Sequence, residues 1–236
     1  SRIEQREAAL LAADPGHERS LLHGVLAHHT ETLDGIAEHA AGARGERLEL
    51  RGDVAHPCQG LADWLTIKEK LGDPAGRRFV LSWAPHVRGL PMAVANSAVL
   101  AAAGAGMNVT IAHPPGYDLS ADVLDQARQW CKAAGAELAV TNEQADACKE
   151  ADMVYVKSWG SAQLYGNSDA QRESFKQHKA WTVGVSDLGW EASSPSQSPI
   201  LMHCLPVRRN VVITDAALDD PRCVVVDQAE NRMWAQ

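Results

Sequence analysis

Between about residues 60 and 226 the chain switches repeatedly between helical period and short apolar runs, and no other feature restricts its fold as much. Segment 61–72 has helical spacing and ends at Gly72, a usual stop; 77–83 is a short apolar strand candidate. Segment 91–106 reads as a helix with Pro91 in its first turn and Gly104 and Gly106 at its end. A second strand is predicted over 107–113. A helix over 121–135 follows, with Leu124, Ala127, Cys131 and Ala134 on one face. A brief strand (137–140), a short helix (142–151) and a strand (152–159) come next, then a polar helix near 168–178 and two strands at 199–203 and 222–226. Strands alternating with helices imply an α/β fold, a doubly wound and mostly parallel sheet with helices on both faces. In such folds ligands sit outside the carboxyl ends of the strands. That rule places Trp83, His113, Lys157, Ser158, Trp159, His203 and Cys204 on one rim.

Charge and cysteine usage narrow the function. The net charge of −8 argues against nucleic-acid binding, which needs a basic face. No apolar run approaches the ~18 residues of a membrane span. Five widely spaced cysteines, with no CxxC pair, suggest neither a zinc ribbon nor a disulfide scaffold, and a reducing cytoplasm fits best. Ten histidines show no paired ligand spacing, so no metal site is expected. The first 50 residues differ from the rest: Leu22, Leu26, His29, Leu33 and Ile36 form a helical stripe, an earlier helix breaks at 14–16, and strand content is low.

Three motifs carry candidate chemistry. "HPCQGLADWLTIKEKLG" (56–72) puts His56 and Gln59 just before a helix, whose N-terminus favours negative charge. The plainer reading is that they cap that helix. "HCLPVRRN" (203–210) follows a strand. Cys204 there is open to three readings: a nucleophile, though without a visible histidine and acid to activate it, a small buried apolar group, or a polar contact at the rim. Arg208 and Arg209 offer planar forks for carboxylate or phosphate, or are surface charges. "AENR" (229–232) lies where a helix opens, with Arg232 either an i,i+4 partner of Gln228 or solvated. Lys157 ends a strand, a position that is usually solvated. Gly104 and Gly106 follow a helix and make no phosphate cradle; Cys131 and Cys148 lie on apolar helical faces and belong to the core.

In this order, "HPCQGLADWLTIKEKLG", "HCLPVRRN" and "AENR" resemble the transcarbamoylases over about residues 54 to 236, and "HPCQ" with "HCLP" resembles the ornithine rather than the aspartate branch. Ornithine enzymes carry an Asp where this chain has Lys157, in "VYVKSWGSAQ". A cation there repels a free α-ammonium and tolerates an acylated nitrogen. With "WAPHVRGLPMAVANS", this is similar to the N-acetylornithine and N-succinylornithine carbamoyltransferases, and the acyl group stays open. The resemblance implies carbamoyl transfer from carbamoyl phosphate to the δ-amine of an N-acylornithine in arginine biosynthesis, two α/β domains, a homotrimer, and no metal or organic cofactor. It implies that His56 and Gln59 hold the carbamoyl group and that His56 stabilises the oxyanion. Cys204 and the Leu205 carbonyl orient the amine, Arg232 contacts carbamoyl phosphate, and Lys157 pairs with the acceptor's carboxylate. Trp83, Asn96, Arg208 and Arg209 complete the acceptor side. The chain also departs from the family. Its Ser-x-x-Arg-Thr phosphate cradle is missing, and Gly52 stands where the acetyl type has an acid. The expected layout is therefore an atypical remnant of the carbamoyl-phosphate domain (1–55), an acceptor-binding domain (56–227) and the start of a truncated helix (228–236), with weak activity. The alternatives are an ornithine carbamoyltransferase and a non-catalytic remnant that binds an acyl amino acid.

Overall fold

The computed structural model describes residues 55–191 and 198–236. The readings made for residues 1–54, including the leader helices and Gly52, lie outside the described residues. Five strands form one parallel sheet: β1 (Arg78–Trp83), β2 (Asn108–Ala112), β3 (Leu138–Thr141), β4 (Met153–Lys157) and β5 (Ile200–Met202), in the order β3-β2-β1-β4-β5. The helices are α1 (Pro57–Leu71), α2 (Ala93–Gly104), α3 (Ala121–Ala133), α4 (Gln144–Lys149), α5 (Ser168–Gln177), α6 (Asp215–Leu218) and α7 (Val225–Ala235).

The central strands are apolar throughout because both faces are covered. Phe79, Leu81 and Trp83 of β1 and Met153 and Tyr155 of β4 point to one face, where Ile67 of α1, the alanines of α2 and Ala127 and Cys131 of α3 pack on them. Val80, Val154 and Val156 point to the other face, against Cys148 of α4 and Ala217 of α6. Helix α2 lies close to its neighbours because its inward positions are small: Ala95, Ala98, Ala102 and Ala103 are all buried. A β-carbon on Gly60 of α1 would sit 3.4 Å from Ser97 Cβ of α2, so the two helices approach closely at that point.

The predicted strand at 222–226 does not form. Leu201 makes a single bridge to Cys223, and the chain enters α7 at Val225. Three successive valines favour a strand locally, yet Val225, Gln228 and Asn231 recur at helical spacing and are buried, and α7 packs along α1. "AENR" therefore lies within a helix and does not open one.

The strand order reverses between β1 and β4. β2 and β3 follow β1 on one side, and β4 and β5 lie on the other. A crevice opens at such a switch point, outside the carboxyl ends of the two strands. Trp83 and Lys157 are register partners at that end, and the Ala84 amide donates to the Lys157 carbonyl at 3.1 Å.

Candidate active site

At the switch point the Trp83 ring turns inward. It is 3% exposed, its indole N–H donates to the Trp159 carbonyl (2.9 Å), and Tyr117, His178 and Trp181 surround it. Lys157 is half-buried, and none of the ion pairs among the described residues includes it. Its charge is felt at His86, His203 and Cys204, so it acts on the turn that carries "HCLP". His86, on the loop after β1, joins that cluster. Its Nδ1 lies 3.1 Å from the Arg88 carbonyl, and its Nε2 accepts from Arg208 Nε at 3.1 Å. Burial holds the His86 pKa below its usual value, and the charges of Arg208, Lys157 and Arg88 act in the same direction, so a neutral ring sits among three cations.

The second part of the site is built where α1 meets α7. His56 caps α1: its Nδ1 accepts from the Gln59 amide at 3.4 Å, and its own amide donates to Ser97 Oγ at 2.8 Å. Asp63, one helical turn beyond Gln59, is 1% exposed. Its Oδ1 accepts from Gln59 Nε2 (2.7 Å) and from Gln228 Nε2 of α7 (2.6 Å). The outer ends of these amides are also engaged. Gln59 Oε1 accepts from Arg232 Nη1 (3.2 Å), and Gln228 Oε1 accepts from the His203 amide (2.9 Å). Arg232 Nη2 lies 3.4 Å from His56 Nε2. With Nδ1 accepting at the cap, a neutral His56 carries its proton on Nε2. Two donors then converge, an arrangement suited to an oxygen lone pair. Burial first, then the Arg232 charge, lowers the His56 pKa and keeps the ring neutral.

Burial drives the remaining electrostatics. It pushes the Asp63 carboxyl up from 3.8 to about 7, against the pull of Gln59, Gln228, Tyr155 and Arg232. The Tyr155 hydroxyl is close enough to Asp63 to affect its proton, although neither it nor Asp63 Oδ2 completes a hydrogen bond among the described residues. Burial also raises the Cys204 thiol, with Lys157 opposing, so Cys204 stays protonated at neutral pH and not poised as a thiolate nucleophile. His203 is held neutral, its pKa driven down to about 3 by burial and then by Lys157. Its Nδ1 accepts from the Leu205 amide at 2.9 Å, which bends the chain just past Cys204. Leu205 has φ 49 and is followed by a cis bond to Pro206.

His56 and Gln59 of one motif and Arg232 of another meet in one network, and Cys204 senses the charges of both Asp63 and Lys157. Leu205 lies on the turn after Cys204. Asn96 is buried on α2 beside Ser97. Two acceptor-side residues have other partners in the fold. Trp83 presents almost no surface, because its large ring completes the core. Arg209 is bound away by Asp215 and Asp219 (2.8 and 2.7 Å), while Arg208 alone reaches His86. Arg232 pairs with Gln59 rather than Gln228. Asp63 and, beyond a pairing with Arg232, Gln228 carry no reading in the sequence, nor do Tyr155 and His86. The spacing Gln59–Asp63 and Gln228–Arg232, both i,i+4, held a clue to the first two.

The family model for the aspartate/ornithine carbamoyltransferase Asp/Orn-binding domain matches residues 91–236. The N-acetylornithine carbamoyltransferase of Xanthomonas campestris pv. campestris is 38% identical over 186 residues, 78% of this chain and 53% of that protein. The catabolic ornithine carbamoyltransferase of Thermoplasma volcanium is 31% identical over 224 residues, 95% of this chain and 69% of the relative. A crystal structure of acetylornithine transcarbamylase complexed with acetylcitrulline superposes with a TM-score of 0.70 at 36% identity, covering 77% of this chain and 54% of that one. A variant of N-acetyl-L-ornithine transcarbamylase complexed with carbamyl phosphate and N-succinyl-L-norvaline gives the same score and identity. The chain spans about half the length of the N-acetylornithine relatives it matches.

Proposed function

Because this chain belongs to the aspartate/ornithine carbamoyltransferase family, we propose that its site serves transfer of a carbamoyl group from carbamoyl phosphate to the δ-amine of an N-acylornithine, a step of arginine biosynthesis. In that reaction the amine nitrogen bonds to the carbonyl carbon, the carbon–phosphate oxygen bond breaks, and the nitrogen gives up a proton. The observation that carries this reading is Lys157 at the carboxyl end of β4, the register partner of Trp83 at the crevice, with its charge felt at Cys204. A free α-ammonium in that place would face Lys157, Arg208 and Arg88 across the neutral His86. An acylated nitrogen has no charge to repel, and its neighbouring carboxylate is attracted. Relatives named for N-acetylornithine favour acetyl over succinyl.

The geometry is compatible with the roles that the resemblance implies. The convergent donors of His56 and Arg232 suit the carbamoyl oxygen and its phosphate, where aimed donors commonly supply several kcal/mol of transition-state stabilisation. The Gln59 carbonyl can accept from the carbamoyl amide. The Cys204–Leu205 turn supplies the Leu205 carbonyl to hold the incoming amine, with Lys157 and Arg208 on the carboxylate. Family resemblance further implies a homotrimer in the cytoplasm, which sedimentation and fractionation would check.

Titration calorimetry with N-acetylornithine, N-succinylornithine and ornithine, each with and without carbamoyl phosphate, tests the reading alongside phosphate release. Heat with an acylated acceptor and none with ornithine is expected. Preference for ornithine would move the chain to the ornithine enzymes, and binding with no phosphate release would make it a non-catalytic acyl-amino-acid binder.

A further inference from the structure

We propose that Asp63 is a positioning residue for this site: one buried oxygen fixes the amide orientation of both Gln59 and Gln228, and through them holds Arg232 and the His203–Cys204 turn in one frame. The proposal rests on the reaction assigned above, and its geometry is independent of it. A glutamine amide has two orientations that differ little in shape, and its neighbours choose between them. Asp63 Oδ1 accepts from the Nε2 groups of both glutamines and so draws them inward, at 2.7 and 2.6 Å. Both carbonyls are thereby forced outward. One meets Arg232 Nη1 on α7 and the other the backbone amide of His203 at the end of β5. A single carboxylate thus sets the frame for a donor to the carbamoyl side and for the turn on the amine side.

The surrounding groups suit that task. Asp63 is fully enclosed, so nothing but protein competes for its oxygen. Tyr155, Cys204 and Arg232 are the other titratable groups that sense or perturb it, and the first two stay neutral at physiological pH. Asp63 is buried, and its hydrogen bonds run to Gln59 and Gln228.

The test uses the full 236-residue chain, labelled with nitrogen-15, and three forms: unmodified, Asp63→Asn and Asp63→Leu. In the unmodified chain the side-chain amide signals of Gln59 and Gln228 should both shift with one common midpoint near pH 7. In Asp63→Asn, whose carbonyl can still accept from both amides, the same signals should be present and flat. Phosphate release should fall by at least about tenfold in Asp63→Leu, as misplaced groups commonly cost, and be largely rescued in Asp63→Asn. Amide signals that titrate with separate midpoints, or that stay in place in Asp63→Leu, would overturn the positioning role even if the enzyme is active, and so would full activity in a folded Asp63→Leu. If the unmodified chain releases no phosphate, the assigned reaction fails, while the shared midpoint still decides whether Asp63 sets the two amides.

Discussion

At the scale of single residues, the site turns on where charge is placed. Lys157 has no carboxylate partner in any ion pair among the described residues and perturbs His86, His203 and Cys204. Reversing its sign should therefore reverse selectivity. Lys157→Asp is expected to raise affinity for ornithine relative to N-acetylornithine by about tenfold or more, as one well-placed charge pair commonly contributes over 1 kcal/mol at partly buried sites. Calorimetric dissociation constants for the two ligands check it, and an unchanged ratio would remove Lys157 from acceptor choice. A second residue, Gly160 in the same motif, acts sterically. A β-carbon there would stand 3.0 Å from Gly89 Cα, which is backbone and cannot swing aside. Gly160→Ala should cost about 1–3 kcal/mol, read from urea midpoints, and should disturb the His86–Arg88 loop that carries Gly89. Sequence alone proposes His56, Gln59, Cys204, Lys157 and Arg232 because each sits in a recognisable motif. It missed Asp63 and Gln228, whose importance comes from burial and from a contact spanning 165 positions. It gave no sign of where Trp83 points, because nothing in "WAPH" reveals that the ring faces the core.

At the scale of elements, the alternation of periods was enough to find the parallel sheet, since every central strand is short and apolar and every linking helix is amphipathic or alanine-rich. The run 222–226 shows the limit of that reading. Val224 donates to the Leu201 carbonyl and Leu201 to that of Arg222, so one bridge forms before the chain turns into α7. What overrides the valines is the groove of α1, whose position no local pattern contains. The α1–α7 seam is also where a stability test is sharpest. Asn231 is 6% exposed, and its Nδ2 donates to Thr66 Oγ1 and Glu69 Oε2, both at 3.0 Å. Asn231→Ala should cost about 1–3 kcal/mol. Met233→Ala, two residues on and 68% exposed, should stay within about 0.5 kcal/mol. Equal costs in urea unfolding would mean that the seam is not held as described.

At the scale of the whole molecule, two buried groups make the fold respond to pH in opposite senses. Asp63 has a folded pKa raised from 3.8 to about 7. The native chain therefore holds a proton that the unfolded chain has released, and the stability this brings is present below pH 4 and lost as pH rises to 7, roughly 4 kcal/mol in all. His203 has a folded pKa lowered from 6.5 to about 3. Here the unfolded chain takes up the proton first, so the stability is present above pH 6.5 and lost as pH falls toward 3, roughly 5 kcal/mol. Between about pH 4 and 6.5 the two slopes cancel. The aspartates held down by Arg209 and Arg222 act only below that window, whereas His56 and His86, also held down, tilt the curve the same way as His203. Differences between variants isolate the two buried groups. Stability of Asp63→Asn relative to the unmodified chain should climb by about 1.4 kcal/mol per pH unit across the window, and that of His203→Asn should fall by a similar amount. Urea unfolding at half-unit steps from pH 4 to 8 measures both. If the Asp63→Asn difference is level, the carboxyl is ionised throughout in the folded chain, and the enclosure that drives its proton affinity is less complete than the packing of α1 against α7 indicates.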